Sequence, residues 1–185
     1  MNAISTHRFG SARFLLISLV CLAAGFITAC DDAGPNDNGV IITPIDEQIE
    51  IGAPAPTIRL NNPDGDLVKL EDLRGKLVLV DFWGSWCGPC RAEMNDLRQI
   101  YAKHHERGFE ILGVAIGDRF DQWKQMISDS SLVWPQTYDP SGSTGERFGY
   151  GRRVPYKVLV DRDGTVIDTN VSRWGLDKVV DELLD

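Results

Sequence analysis

Histidine and cysteine are scarce in this chain of 185 residues, with three of the first and four of the second. His7 lies close to the N-terminus, so the body of the chain holds only His104 and His105. With no second cysteine or histidine pair at ligand spacing, a zinc site has too few donors, and no metal is expected. Positive charge is also short. Lysine and arginine total 19 against 27 acids, a net charge of −8. No basic stripe interrupts that balance, which argues against nucleic acid as a partner. Internal repeats are absent, so the chain is not a solenoid. A hydrophobic content of 43% with 25% charged residues excludes a multi-pass membrane protein. The length suits one domain and a tail.

Acids are missing altogether from residues 1–29, which instead carry Arg8 and Arg13. An uncharged, mostly apolar run follows from Phe14 to Ala29. A basic stretch ahead of an apolar one is the pattern of a secretory signal. The run ends Ile27-Thr28-Ala29-Cys30, which resembles a bacterial lipobox and makes Cys30 the expected lipidation site. Cys21 fits less well, because Val20 before it is not small. An ordinary cleaved signal and an uncleaved anchor are the alternatives. Cleavage before Cys30 would take the net charge from −8 to −10. Residues 30–50, rich in Asp, Asn, Gly and Pro, then read as a flexible tether with an r.m.s. reach of roughly 25 Å. The expected division is a signal at 1–29, the tether at 30–50 and one domain at 51–185.

What the body does contain is Trp86-Cys87-Gly88-Pro89-Cys90, directly after the apolar strand Leu77–Trp83. Two cysteines at this spacing, at the mouth of a helix, form a reversible dithiol. The helix N-terminus favours an anion, so the pKa of Cys87 is expected to fall. Thiolates attack disulfides. Pro89 suits a first helical turn, where its missing N–H costs nothing.

Around this motif strand and helix signals alternate. Thr57–Leu60 and Leu67–Leu70 flank the turn signal Asp64-Gly65. Cys87–Arg107 carries apolar residues at helical spacing and stops at Gly108; Phe109–Ile116 is the next strand. Asp121 is expected to cap a helix facing inward through Trp123 and Ile127. Trp134–Tyr138 reads as extended, and Ser143 with Glu146 fits a capping box. Val158–Val160 and Thr165–Asp168 flank Asp163-Gly164, and Leu176, Val179, Val180, Leu183 and Leu184 face one side of a terminal helix. The sum is an α/β fold: a mixed central sheet flanked by helices.

The run from Val80 to Met94 resembles the active-site segment of thioredoxin-fold proteins, and more narrowly of TlpA/ResA-like thiol–disulfide oxidoreductases in the redoxin (AhpC/TSA) superfamily. Gly52–Pro56 and Leu73–Lys76 resemble that group's N-terminal hairpin segment. Asp118–Tyr138 resembles its helix–strand insertion, and Val154-Pro155 its cis-proline loop. Two departures stand out. Asn95 replaces a proline that often kinks the active-site helix, implying a straighter helix. Tyr156 and Lys157 stand where small hydroxyl residues commonly follow the cis-proline.

The resemblance implies roles. Cys87 is the nucleophile, partly exposed, and Cys90 resolves the mixed disulfide. Trp86, Gly88, Pro89, Val154 and Pro155 form the substrate groove, with the Val154 main chain pairing an extended segment. Asp81 resembles a buried aspartate that exchanges a proton with the second cysteine, and Glu93 a glutamate that tunes the thiols. Lys157 is expected to approach Asp81 and hold it ionised. Trp83 is expected to pack beneath the motif, and His104 and His105 to lie on a solvated helix end.

The implied protein is a membrane-tethered, extracytoplasmic (periplasmic) oxidoreductase reducing protein disulfides, as in cytochrome c maturation. It would act as a monomer, recharged by a thiol-type membrane electron donor, with its own disulfide in place of a cofactor. The rivals are an oxidant or isomerase on the same fold, a peroxidase and a non-enzymatic binding module. The peroxidase reading is disfavoured by Gly84, which stands where a threonine would precede the peroxidatic cysteine.

Overall fold

Alternate residues of one strand set the architecture. In β3 (Leu77–Trp83) every residue is buried. Leu77, Leu79 and Trp83 join one apolar cluster, while Val78, Val80 and Phe82 join another. Period-2 alternation sends them to opposite faces, so the strand must be covered on both. Asp81 shares its parity with the first group. The computed structural model describes residues 49–185. The signal, Cys30 and the tether as far as residue 48 lie outside the described residues.

β1 (Arg59–Asn61) and β2 (Leu67–Lys69) form an antiparallel hairpin around the Asp64-Gly65 turn, where Gly65 adopts φ +94°. Helix α1 (Gly88–His104) returns the chain from β3 to β4 (Phe109–Ile116), which pairs with β3 in parallel. α2 (Phe120–Asp129) and β5 (Gln136–Asp139) make the insertion. Then come α3 (Ser143–Arg147), β6 (Tyr156–Val160), β7 (Val166–Thr169) and α4 (Arg173–Leu184). The sheet has seven strands in the order β2-β1-β5-β4-β3-β6-β7, with β3 and β4 adjacent near its middle. Antiparallel β6 on β3 makes it mixed. The buried apolar side chains of α1, α2 and α4 all belong to the cluster of Leu77 and Leu79. Ile58, Leu70 and Phe148, from the hairpin region and the end of α3, cover the opposite face. The three longer helices therefore lie on the dithiol's face, and shorter elements close the other. No helix among the described residues is long and apolar enough to cross a membrane.

Three local expectations are corrected. Asp121 does not cap α2; the cap position is Arg119, and Asp121 lies in the first turn. An acid there still favours the helix dipole. No Ser143–Glu146 box forms, because Gly142 at φ +75° holds the cap position of α3. The carboxylate of Asp139 accepts instead from the N–H groups of Ser141, Gly142 and Thr144. The third concerns His104, which is fully buried on the inner stripe of α1. Its Nε2 lies 2.8 Å from Asp177 Oδ1 on α4.

That contact ties α1 to α4. His104 first, then Lys103, holds the Asp177 carboxyl below its ordinary value. A depressed carboxylate adds stability above its unfolded pKa, and that stability is lost as pH falls through the folded value. Asp177→Ala also orphans a buried ring nitrogen. It is expected to cost about 1–2 kcal/mol at pH 7, with the difference from wild type narrowing in acid. Urea melts at pH 7 and pH 3 check this; equal losses at both would place the effect in packing alone.

Candidate active site

The end of β3 delivers Gly84-Ser85-Trp86 into a loop pinned from across the sheet. Asp118, after β4, accepts from both the N–H and the hydroxyl of Ser85, the latter at 2.7 Å. The Trp86 indole lies against Gly84, where a Cβ would come within 2.6 Å of its Nε1. Nε1 donates to the Ile116 carbonyl at 3.3 Å, and the ring is 57% exposed. Only a residue without a side chain permits this close approach.

Cys87 is the N-cap of α1, and its sulfur accepts from the Cys90 N–H at 3.1 Å. Gly88 and Pro89 form the first turn. A disulfide joins Cys87 to Cys90, with their Cα atoms 5.3 Å apart. α1 then runs unbroken past Asn95 to His104, and its last turn tightens into a 3-10 segment, His105–Arg107. The Val154-Pro155 peptide is cis, and the Val154 carbonyl oxygen lies 3.6 Å from Cys87 Sγ. Cys87 is only 3% exposed in this disulfide form, a correction to the expected partial exposure. Its sulfur is turned toward the proline loop rather than toward solvent.

Beneath the disulfide lies a row of polar residues. Lys157 of β6 pairs in register with Asp81 of β3, so both side chains rise on the α1 face. Lys157 Nζ is 3.6 Å from Asp81 Oδ1 and donates to Glu93 Oε2, one turn after Cys90. The Lys157 side chain is 3% exposed, that of Asp81 9% and that of Glu93 15%. One ammonium thus serves two carboxylates, and its tighter contact is with Glu93.

This changes the expected charge state. Burial raises the Asp81 pKa; Lys157 pulls it down, and the Glu93 carboxylate pushes it up. The net direction is upward. Lys157 stands beside Asp81 as expected, but shared with Glu93 it does not hold Asp81 at a low pKa. Desolvation in the core outweighs one divided counter-charge. A buried acid with raised pKa can carry a proton at pH values where an ordinary aspartate cannot.

Trp83 packs in the same cluster as Cys87 and Cys90, and its Nε1 donates to Gln136 Oε1 at 3.1 Å. Gln136 and Asp118 are site residues that the sequence does not single out. The only local signals were a polar residue among β5 core positions and an acid directly after Gly117. Their partners emerge only once β3, β4 and β5 lie side by side. Among the described residues no group of three or more His, Cys, Asp or Glu is placed to hold a metal ion.

Residues 51–169 match the model of the AhpC/TSA family. A protein named thiol-disulfide oxidoreductase ResA from Bacillus thuringiensis (strain Al Hakam) is 32% identical over 122 residues, 66% of this chain and 70% of that one. A protein of the same name from Oceanobacillus iheyensis is 28% identical over 179 residues, 94% of this chain and 88% of that one. Among solved structures, the thioredoxin domain of a thiol-disulfide oxidoreductase from Bacteroides vulgatus superposes with a TM-score of 0.68 at 29% identity. It covers 75% of this chain and all of that one. A putative thiol:disulfide interchange protein DsbE from Chlorobium tepidum gives the same TM-score, identity and coverage. With this fold and a disulfide at the start of α1, the chain belongs to the AhpC/TSA family and is a TlpA/ResA-like thiol–disulfide oxidoreductase.

Proposed function

We propose that this oxidoreductase reduces protein disulfides in an extracytoplasmic compartment, the periplasm, while tethered to a membrane by lipid on Cys30. The observation that carries the redox role is the Cys87–Cys90 disulfide at the mouth of α1, facing the Val154 carbonyl with the Asp81–Lys157–Glu93 cluster below. In the reduced form, Cys87 attacks a substrate disulfide and a mixed disulfide forms. Cys90 then attacks Cys87 Sγ, releasing the substrate as a thiol and leaving the protein oxidised. Asp81 takes up the proton that Cys90 gives up on becoming a thiolate, and returns it when the dithiol is restored. Glu93 and Lys157 set how readily it does so. The recharging electrons come from a thiol-type donor in the membrane.

The substrate groove runs past Trp86, Gly88, Pro89, Val154 and Pro155. Among the described residues no main-chain carbonyl accepts from the Val154 N–H, which leaves it free for an extended partner segment. Substrates of this class include apocytochrome c and other mis-oxidised proteins. The protein acts as a monomer.

Direction is tested by the reduction potential of the Cys87/Cys90 couple, read by equilibration against glutathione or dithiothreitol. Gly-Pro between the cysteines matches thioredoxin, whose potential is about −270 mV. A value in that region supports the reductant; one more oxidising than about −180 mV sinks it and favours the oxidant or isomerase.

Anchoring is tested separately by Cys30→Ser. The variant is expected to leave the membrane fraction almost completely while keeping its dithiol activity. Retention in the membrane would rule out lipid on Cys30 as the anchor.

A further inference from the structure

Four adjacent strands place one residue each in a single row on the α1 face. Gln136 of β5 registers with Gly113 of β4, Gly113 with Asp81 of β3, and Asp81 with Lys157 of β6. Gly113 has no side chain, and the Gln136 amide fills the space above it. A Cβ on Gly113 would lie 2.2 Å from Gln136 Oε1 and 2.8 Å from its Nε2. The amide therefore lies over the one position separating its own strand from that of Asp81.

Both ends of this gap hold an unspent polar atom. Gln136 is 4% exposed, and its Nε2 donates to nothing among the described residues. Asp81 Oδ1 has no hydrogen-bond donor among the described residues; the cation beside it, the Lys157 ammonium, is 3.6 Å away. A buried donor and a buried acceptor left unmade each carry their full desolvation penalty. The two are complementary, and they stand in the same interior row.

We infer that Gln136 is a positioning residue for Asp81: its Nε2 donates to Oδ1 through one buried water, from the side opposite Lys157. A water needs two or more polar partners to stay in a protein interior, and this pair supplies them. The carboxylate is then held from both flanks, by an ammonium on β6 and an amide on β5. The same amide accepts from Trp83 on its other atom, so its orientation is fixed and Nε2 can only be the donor.

Donation to a carboxylate favours its charged form, so Gln136 opposes the effect of burial. The charged groups acting on Asp81 are Lys157 from β6 and Glu93 from α1, and α1 adds Cys90 once it is reduced. β4 contributes only Gly113. The inference rests on Asp81 serving Cys90. Its test reads Asp81 itself, so a wrong assignment of redox direction would leave it untouched.

The experiment is a carboxyl-¹³C NMR titration of Asp81 in oxidised and reduced protein. In wild type, the Gln136 side-chain amide resonances are expected to titrate with the Asp81 midpoint. Gln136→Met keeps the volume and removes the donor, and should raise that midpoint by about one pH unit. Gln136→Glu should raise it at least as far. An unmoved midpoint in folded Gln136→Met overturns the inference, as do wild-type amide resonances that stay flat through the Asp81 transition. The wild-type measurement decides the matter if the variants do not fold.

Discussion

Cys90→Ala is expected to accumulate as a covalent complex with its substrates. Cys87 would still attack, but the mixed disulfide would lose its built-in exit. In wild type the resolving sulfur is in the same helical turn, with its Cα 5.3 Å from that of Cys87. Holding two reactants at such a distance raises their effective concentration by orders of magnitude over any free thiol. Release by millimolar external thiol should therefore be slower by at least about 10³-fold. Multiple turnover falls by a similar factor, while a single stoichiometric attack survives. Non-reducing gels, followed by mass spectrometry of the trapped species, read the result and name the substrates. Cys87→Ser, in contrast, should trap nothing and lose both phases. Equal trapping by the two variants would make Cys90 an independent nucleophile and remove the assigned order.

Lys157→Met is expected to be the most destabilising single change at the site. The ammonium is 3% exposed and faces two carboxylates, so its loss leaves Asp81 and Glu93 without their shared cation. Removing one partner of a buried ion pair costs about 3–5 kcal/mol. Proton uptake by a carboxyl relieves part of this, at about 1.4 kcal/mol per pH unit. The sign follows. Asp81 already has a raised pKa, so between its ordinary and raised values the folded state holds a proton that the unfolded state lacks. Stability therefore falls as pH rises through that window. Without Lys157 the window extends further upward. The variant should melt about 10 °C below wild type at pH 8, with a clearly smaller gap at pH 5. Differential scanning calorimetry at the two pH values measures it. A gap independent of pH would reduce Lys157 to a packing role along its methylenes.

The parts of the site legible in the sequence share one property: each depends on neighbours close along the chain. The cysteine spacing, the proline in the first turn and the alternation of β3 are local, and Cys87 caps α1 as they require. The exception is Asp81 with Lys157, distant in sequence: the family resemblance sets the strand after Pro155 beside β3, and their antiparallel register brings the two opposite each other. Glu93 as their third member required α1 to settle at a particular height over β6. Gln136 and Gly113 depend on β5 lying beside β4, and the order β5-β4-β3 joins segments that no short-range pattern connects. Capping failed for a different reason. Around α2 two acids, Asp118 and Asp121, compete for one local signature. Asp118 is engaged by Ser85 from across the sheet. His104 departs from the expected solvated helix end because it continues the inward stripe of Cys90, Met94, Leu97 and Tyr101, so position on the helix outweighs residue type.

The near-complete enclosure of Cys87 bears on survival among oxidants. In the role proposed above, a reductant outside the cytoplasm meets small disulfides and peroxides as well as its protein substrates. If the thiol form keeps the Val154 carbonyl against Cys87, random collisions seldom present a sulfur on the required line. A partner that first lays a strand along Val154 brings its own disulfide to that line while still docked. Selectivity then arises from the approach path as much as from chemical reactivity, and reducing equivalents are kept for clients able to dock.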